Sequence, residues 1–257
     1  MDRAVTLAAE LARAQGVGWV GARMSNHAGA AGVYALRLAE MGLIGLYLAV
    51  GNANHMAPWG GIELLLSTNP IAIAIPGGTG PVLLDMATTV AAYGKVKLAA
   101  DRGETMPEGW MIDREGKSLT DPALAAGGSL LPIGGPKGFG LALMFGFLAG
   151  TLNGAAFGRD VIDFNADDAS ATNTGQAVLA LDPAAFGDPA VFRAAVEVVR
   201  RDMTGSALRP GFDGIRLPGE RSLALRRERS ASGIPIPAPL LGRLAALAAD
   251  HGIAPLA

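Results

Sequence analysis

Gly16-Val17-Gly18-Trp19-Val20-Gly21 carries the glycine spacing of a dinucleotide fingerprint, with Glu40 at roughly the distance expected of a ribose contact. In that fingerprint the glycines follow a strand and open a helix, so that a pyrophosphate meets the helix N-terminus. Here the order is reversed. Val5, Ala8, Leu11 and Ala12 recur at helical spacing up to Gly16, and Trp19–Met24 reads as a short strand beyond it. Gly16 and Gly18 are a helix stop and turn, and a Rossmann arrangement is excluded.

Outward from this segment, strands and helices alternate. Ala31–Met41 has a helical pattern that ends at Gly42, and Leu43–Val50 is a continuous apolar run expected of a strand covered on both faces. Ile71–Ile75 and Val82–Leu84 are further strand candidates, followed by a helix over Val90–Ala100 and a polar, turn-rich stretch over Asp101–Gly135. A glycine-striped apolar helix comes next, then a strand over Ala177–Leu181 and a helix over Ala190–Met203. Arg209–Pro218 is irregular, and a last amphipathic helix spans Pro239–Asp250. This alternation predicts an α/β protein, a mixed sheet covered by helices and not of the Rossmann type. It is expected to form one domain over 1–257, in which 1–50 and 205–257 form a separate helical/α-β layer.

Composition narrows the function. The 257 residues carry a net charge of −2 and no cysteine, which excludes a basic nucleic-acid face, disulfides, thiolate metal sites and cysteine nucleophiles. Arg226, Arg227 and Arg229 are interrupted by Glu228 and read as a solvated face. The uncharged run Gly138–Gly158, with Gly146, Gly150, Gly154 and Gly158 four apart, has the length and spacing of a membrane helix. It also contains Thr151 and Asn153 and stands alone, so a buried helix in a soluble protein is expected instead. Asp163-x-Asn165-x-Asp167 resembles the start of a calcium loop, but Asp168 stands where Gly is needed and Thr174 where Glu is needed. No metal site is predicted.

Four positions stay open on the residues alone. Lys137 precedes the glycine-striped helix, where a cation opposes the helix dipole unless an anion joins it; it is either a phosphate ligand or a solvated lysine. Thr88 or Thr89 is a simple helix N-cap, or lies in a turn that offers N–H groups to a ligand. His27 follows Ser25-Asn26 and precedes small residues that leave room beside its ring, yet a lone loop histidine is commonly structural. His55 is undecided, and His251 sits at a helix C-terminus, where no function is needed to explain it.

Taken in order, Ser25-Asn26-His27-x-Gly29-Ala30-Ala31-Gly32, Pro58-Trp59-Gly60-Gly61, Thr68-Asn69-Pro70, Asp85-Met86-Ala87-Thr88, Gly94-Lys95-Val96, Lys137-Gly138-Phe139-Gly140 and Leu217-Pro218-Gly219-Glu220-Arg221 resemble the malate/L-lactate dehydrogenase family. The resemblance implies an NAD(P)-dependent oxidoreductase that interconverts small 2-oxo and 2-hydroxy acids, with a cyclic imino acid reductase as a variant. It implies NAD or NADP bound by Pro81, Val82, Leu83, Leu84, Asp85, Met86 and Ala87, by Pro136 and Lys137, and by Gly219, Glu220 and Arg221. His27 is then the catalytic candidate, with Arg23 and Asn26 as candidate substrate ligands. A cytoplasmic homodimer with no nucleic-acid or membrane partner is expected.

Members of that family usually begin with a helical segment containing Ser-His-Gly, whose histidine donates the proton. No Ser-His-Gly occurs in these 257 residues, and the first residues match the family's central domain. The expectation is a chain with little dehydrogenase activity alone, restored by adding that segment. A reading from another class is a catalytically incompetent nucleotide-binding or dimerisation module.

Overall fold

The computed structural model describes residues 1–167 and 169–255, in two compact units, Met1–Pro218 and Gly219–Ala257. Unit 1 holds helices α1 (Asp2–Gln15), α2 (Ala31–Glu40), α3 (Tyr93–Arg102), α4 (Pro136–Ala149) and α5 (Pro189–Thr204). Its main sheet consists of β1 (Val17–Ser25), β2 (Ile44–Ala49), β3 (Ile71–Ile75), β4 (Val82–Met86) and β7 (Thr174–Leu181), in the order β1-β7-β2-β3-β4. The predicted α/β class, helices on a non-Rossmann sheet, is what forms. Every neighbouring pair in the sheet is antiparallel, so it is more uniform than "mixed" implies. A small two-stranded sheet pairs β5 (Met111–Ile112) with β6 (Ser129–Leu130).

Glycines set the spacing between layers. A side chain on Gly18 would overlap the Ala8 carbonyl of α1, and one on Gly45 would overlap the Ala35 carbonyl of α2. By strand alternation these two helices therefore share one face of the sheet. On the other face, Gly175 leaves room for the Ala149 carbonyl of α4. There Leu48, Val50, Ala149 and Ala177 form a core with Trp19, Leu46, Ile71, Phe145 and Phe157 packed against it. Gly16, in the left-handed region at φ 83°, ends α1 as expected.

Several boundaries differ from expectation. The glycine-striped helix stops at Ala149 and does not continue to Gly158; Gly150 turns the chain into a short 3-10 turn over Thr151–Asn153. It is buried along Gly138, Ala142, Gly146 and Ala149, while Leu141, Met144, Phe147 and Leu148 are exposed. Among the described residues no helix is long and apolar enough to cross a membrane. Neither Thr88 nor Thr89 caps a helix. Helix α3 begins at Tyr93 behind Ala92, while the buried Thr88 hydroxyl donates to the Thr68 carbonyl and that of Thr89 to Ala91. The Asp163 and Asp167 carboxylates accept N–H groups from Asn165, Ala169 and Ser170 in local turns; Asp168 lies outside the described residues.

Unit 2 contains α6 (Glu220–Ser232) and α7 (Ala238–Asp250), neither with a buried residue. Helix α6 was not anticipated. Its sequence has no apolar stripe, the signal on which periodicity depends.

Candidate functional site

The antiparallel registers bring five chain segments to one end of the sheet. Ser25 at the end of β1 pairs with Thr174 at the start of β7, Ala49 at the end of β2 pairs with Gln176, and Ile71 at the start of β3 pairs with Met86 at the end of β4. The exposed loop carrying Asn26 and His27 emerges at that end, where a β-bulge between Ala22 and Ser25 re-aims the chain. Met24 takes φ 52° there, with its N–H donating to Asn173 Oδ1 at 2.8 Å.

Hydrogen bonds fix the loop at both amide and ring level. Asn26 Oδ1 accepts the His27 N–H at 2.7 Å and Asn52 Nδ2 at 2.7 Å. His27 Nδ1 accepts the Gly29 N–H at 3.0 Å, which places the proton of the neutral imidazole on Nε2. The ring therefore meets a ligand as a donor. Phe164 lies beside it, with ring centroids 6.5 Å apart. Arg23 lies instead against Gly154, where an added Cβ would sit 3.1 Å from its Nη1.

The segment 81–87 forms the outer strand of the sheet. Leu83 is buried, Val82, Leu84, Met86, Pro81 and Ala87 are half-buried, and Asp85 is exposed. Asp85 Oδ2 accepts the Gly32 N–H at 2.8 Å, which ties β4 to the first turn of α2, five residues after His27. A side chain on Gly32 would approach that oxygen to 2.7 Å, so glycine is required for the contact. At the other end of β4 the loop Gly77-Gly78-Thr79-Gly80 is gripped by α5. Glu197 accepts the Thr79 N–H and hydroxyl, and Arg200 donates to the Gly80 carbonyl at 2.6 Å. The Thr79 N–H, working against burial and aided by the Thr79 hydroxyl and Arg200, holds the Glu197 carboxyl below its usual range.

Pro136 and Lys137 occupy the first turn of α4, entered through Gly134 and Gly135 at φ 58° and 63°. The Ile133 N–H donates to the Thr88 carbonyl at 2.9 Å, and Val90 N–H to Leu131 at 2.8 Å, so this turn lies beside the end of β4. The Trp59 ring packs on Gly135, which gives Pro58-Trp59-Gly60-Gly61 a place at the same turn. Within unit 1 the His27 loop is thus linked to β4 through Gly32 and Asp85, and β4 to the start of α4 through Thr88 and Ile133. Gly219, Glu220 and Arg221 begin α6 in unit 2, with Gly219 left-handed at φ 86° ahead of the first turn. Exposed Lys137 at a free helix N-terminus is a donor set suited to a dinucleotide phosphate.

His55, left undecided by its sequence setting, stacks on Tyr93 with centroids 3.8 Å apart and planes 6° from parallel. Burial lowers its pKa, with Asp163 opposing and Lys97 assisting. Two residues at the His27 end escaped sequence reasoning: Asn52 and Gln176, 7% and 2% exposed. The available signal for Gln176 was one long polar side chain in the apolar strand Gly175–Leu181.

Comparison with known proteins matches residues 1–245 to the malate/L-lactate dehydrogenase family. L-sulfolactate dehydrogenase of Methanothermobacter thermautotrophicus is 40% identical over 98% of this chain and 71% of its own length. (2R)-3-sulfolactate dehydrogenase (NADP(+)) of Chromohalobacter salexigens is 41% identical over 98% of the chain and 72% of its own. The structure of malate dehydrogenase from Pyrococcus horikoshii superposes with a TM-score of 0.88 at 32% identity, over 99% of the chain and 71% of that enzyme.

Proposed function

This chain belongs to the malate/L-lactate dehydrogenase family, and from that membership we propose that His27 and its loop serve the interconversion of a small 2-oxo acid and its 2-hydroxy acid. The chain is an NAD(P)-dependent oxidoreductase of that class. The observation that carries the site is the His27 ring, held by the Gly29 N–H so that Nε2–H is its outward donor. A 2-oxo acid needs a donor on its C2 oxygen as charge develops there, and a fixed imidazole N–H supplies one. Asn26, whose Oδ1 is occupied by two N–H groups, has its Nδ2 to offer an anionic group. Arg23 is the weaker ligand candidate, because its guanidinium lies against Gly154.

NAD or NADP, when bound, supplies or accepts the hydride. Lys137 and the first N–H groups of α4 suit its phosphate, and the edge strand β4, with exposed Asp85, lies beside them. Gly219, Glu220 and Arg221 remain cofactor candidates on the strength of the family resemblance. A cytoplasmic homodimer is the proposed assembly and location. The lack of cysteine suits a reducing compartment, and the exposed Leu141, Met144 and Leu148 of α4 suit an interface.

In protein that also carries the family's Ser-His-Gly segment, His27→Ala should lower turnover of reduced cofactor with 2-oxo acids by about 10²–10⁴ while its affinity for reduced dinucleotide stays unchanged. An unchanged rate would remove His27 from the reaction.

A further inference from the structure

Beneath the His27 loop lie two buried amides that the proposed chemistry does not use. Gln176 projects from the α1/α2 face of β7, paired between Ala22 and Ala49. Its Nε2 donates to Ser25 Oγ at 2.8 Å and to the Asn26 carbonyl at 3.0 Å. Asn52, just past β2, spans from Thr174 Oγ1 at 2.8 Å to Asn26 Oδ1 at 2.7 Å. Asn26 and His27 are exposed; Thr172 donates to the Ser25 carbonyl and Tyr34 to the Ala28 carbonyl on either side of them, and the two amides are the side chains that hold Asn26 itself. Burying two amides costs free energy unless their hydrogen bonds are made; Gln176 Oε1 is buried without a partner, so the hold on the loop comes from the two amide NH₂ groups, whose four bonds end on residues 25, 26 and 174.

We propose that Gln176 and Asn52 are positioning residues for His27. They fix the backbone and side chain of Asn26, and Asn26 fixes His27 through its N–H. The Gly29 N–H then finds Nδ1, and the ring is confined to the Nε2–H tautomer. Without the cradle the loop keeps its sequence but loses its single geometry, and both tautomers become populated. This inference rests on His27 being the working donor, but the ring geometry can be tested without turnover.

The experiment is long-range ¹⁵N–¹H correlation of the three histidines in the full chain, compared with Gln176→Met and Asn52→Ser. Wild type is expected to show His27 as one Nε2–H tautomer, and both variants a mixture. In turnover assays kcat should fall about tenfold to a hundredfold, because misplacement of a reacting group by an ångström has that scale of effect. The KM for dinucleotide should stay constant. If Gln176→Met fails to fold, Ser25→Ala removes one of the same contacts from a half-buried loop position and carries the test. A single unchanged Nε2–H tautomer in the folded variants, or a wild-type His27 that is not in that form, overturns the proposal. Failure of the enzymatic reading would show separately, as absent turnover with the tautomer change intact.

Discussion

At the scale of single residues, His27 and His55 show how surroundings divide one side-chain type between two jobs. His27 is exposed, with Nδ1 engaged and Nε2 available. His55 is stacked on Tyr93 in a setting where burial holds its pKa down. A histidine that stays neutral in the folded protein while the unfolded chain takes up a proton makes stability fall as pH drops below about 6.5. His55→Phe keeps the stack and removes the titration. The variant should therefore lose less Tm than wild type between pH about 6.5 and 5, as followed by thermal melts across that range. Parallel curves would show that His55 does not contribute to the acid sensitivity.

At the scale of elements, the glycines of α4 and of its C-cap have two environments. Gly150, the C-cap, is enclosed, with an added Cβ falling 2.6 Å from the Gly146 carbonyl and 3.0 Å from Val50. Gly140, within the helix, faces open space. Gly150→Leu should cost about 1–3 kcal/mol or more by overpacking and appear as a lower Tm or aggregation. Gly140→Ala should raise stability by up to about 1 kcal/mol through helix propensity. Equal melting of both variants would contradict this division of the helix. The 77–80 loop gives a second element-level test. Because the Glu197 carboxyl is held below its ordinary range, its contribution is present above pH about 4.5 and is lost as pH falls through the depressed value. Glu197→Gln should melt below wild type at pH 7, and the two should converge under acid. A gap that persists at low pH would assign the effect to packing instead.

At the scale of the molecule, the candidate site is assembled from segments far apart in sequence. Residues 25–32, 52, 85–88, 133–137 and 174–176 meet only when the sheet has formed. An unfolded chain therefore cannot bind the cofactor, and binding must stabilise the fold. Reduced dinucleotide at 100 times its Kd should add about 2.7 kcal/mol, or roughly 5–10 °C in Tm. Lys137→Ala, losing a charge-assisted phosphate contact, should weaken binding about tenfold and roughly halve the shift at the same concentration. A full shift in the variant would take Lys137 out of the cofactor site.

Much of this architecture was written locally. Gly16 needed only its left-handed conformation to end α1, and the apolar runs at 44–49 and 71–75 needed only burial to become strands. His27, Asp85 and Lys137 were legible as ordered motifs flanking those elements. What the sequence could not state is who meets whom. Thr88 looked like a helix cap, but the Thr68 carbonyl reaches it first. Helix α4 looked about half as long again as its hydrogen bonds allow, because hydropathy does not record where Gly150 turns. Gln176 and Asn52 were silent for the same reason. Their partners lie 151 and 26 residues away, and a hydrogen bond between distant residues exists only once sheet register, a property of the whole fold, has been set.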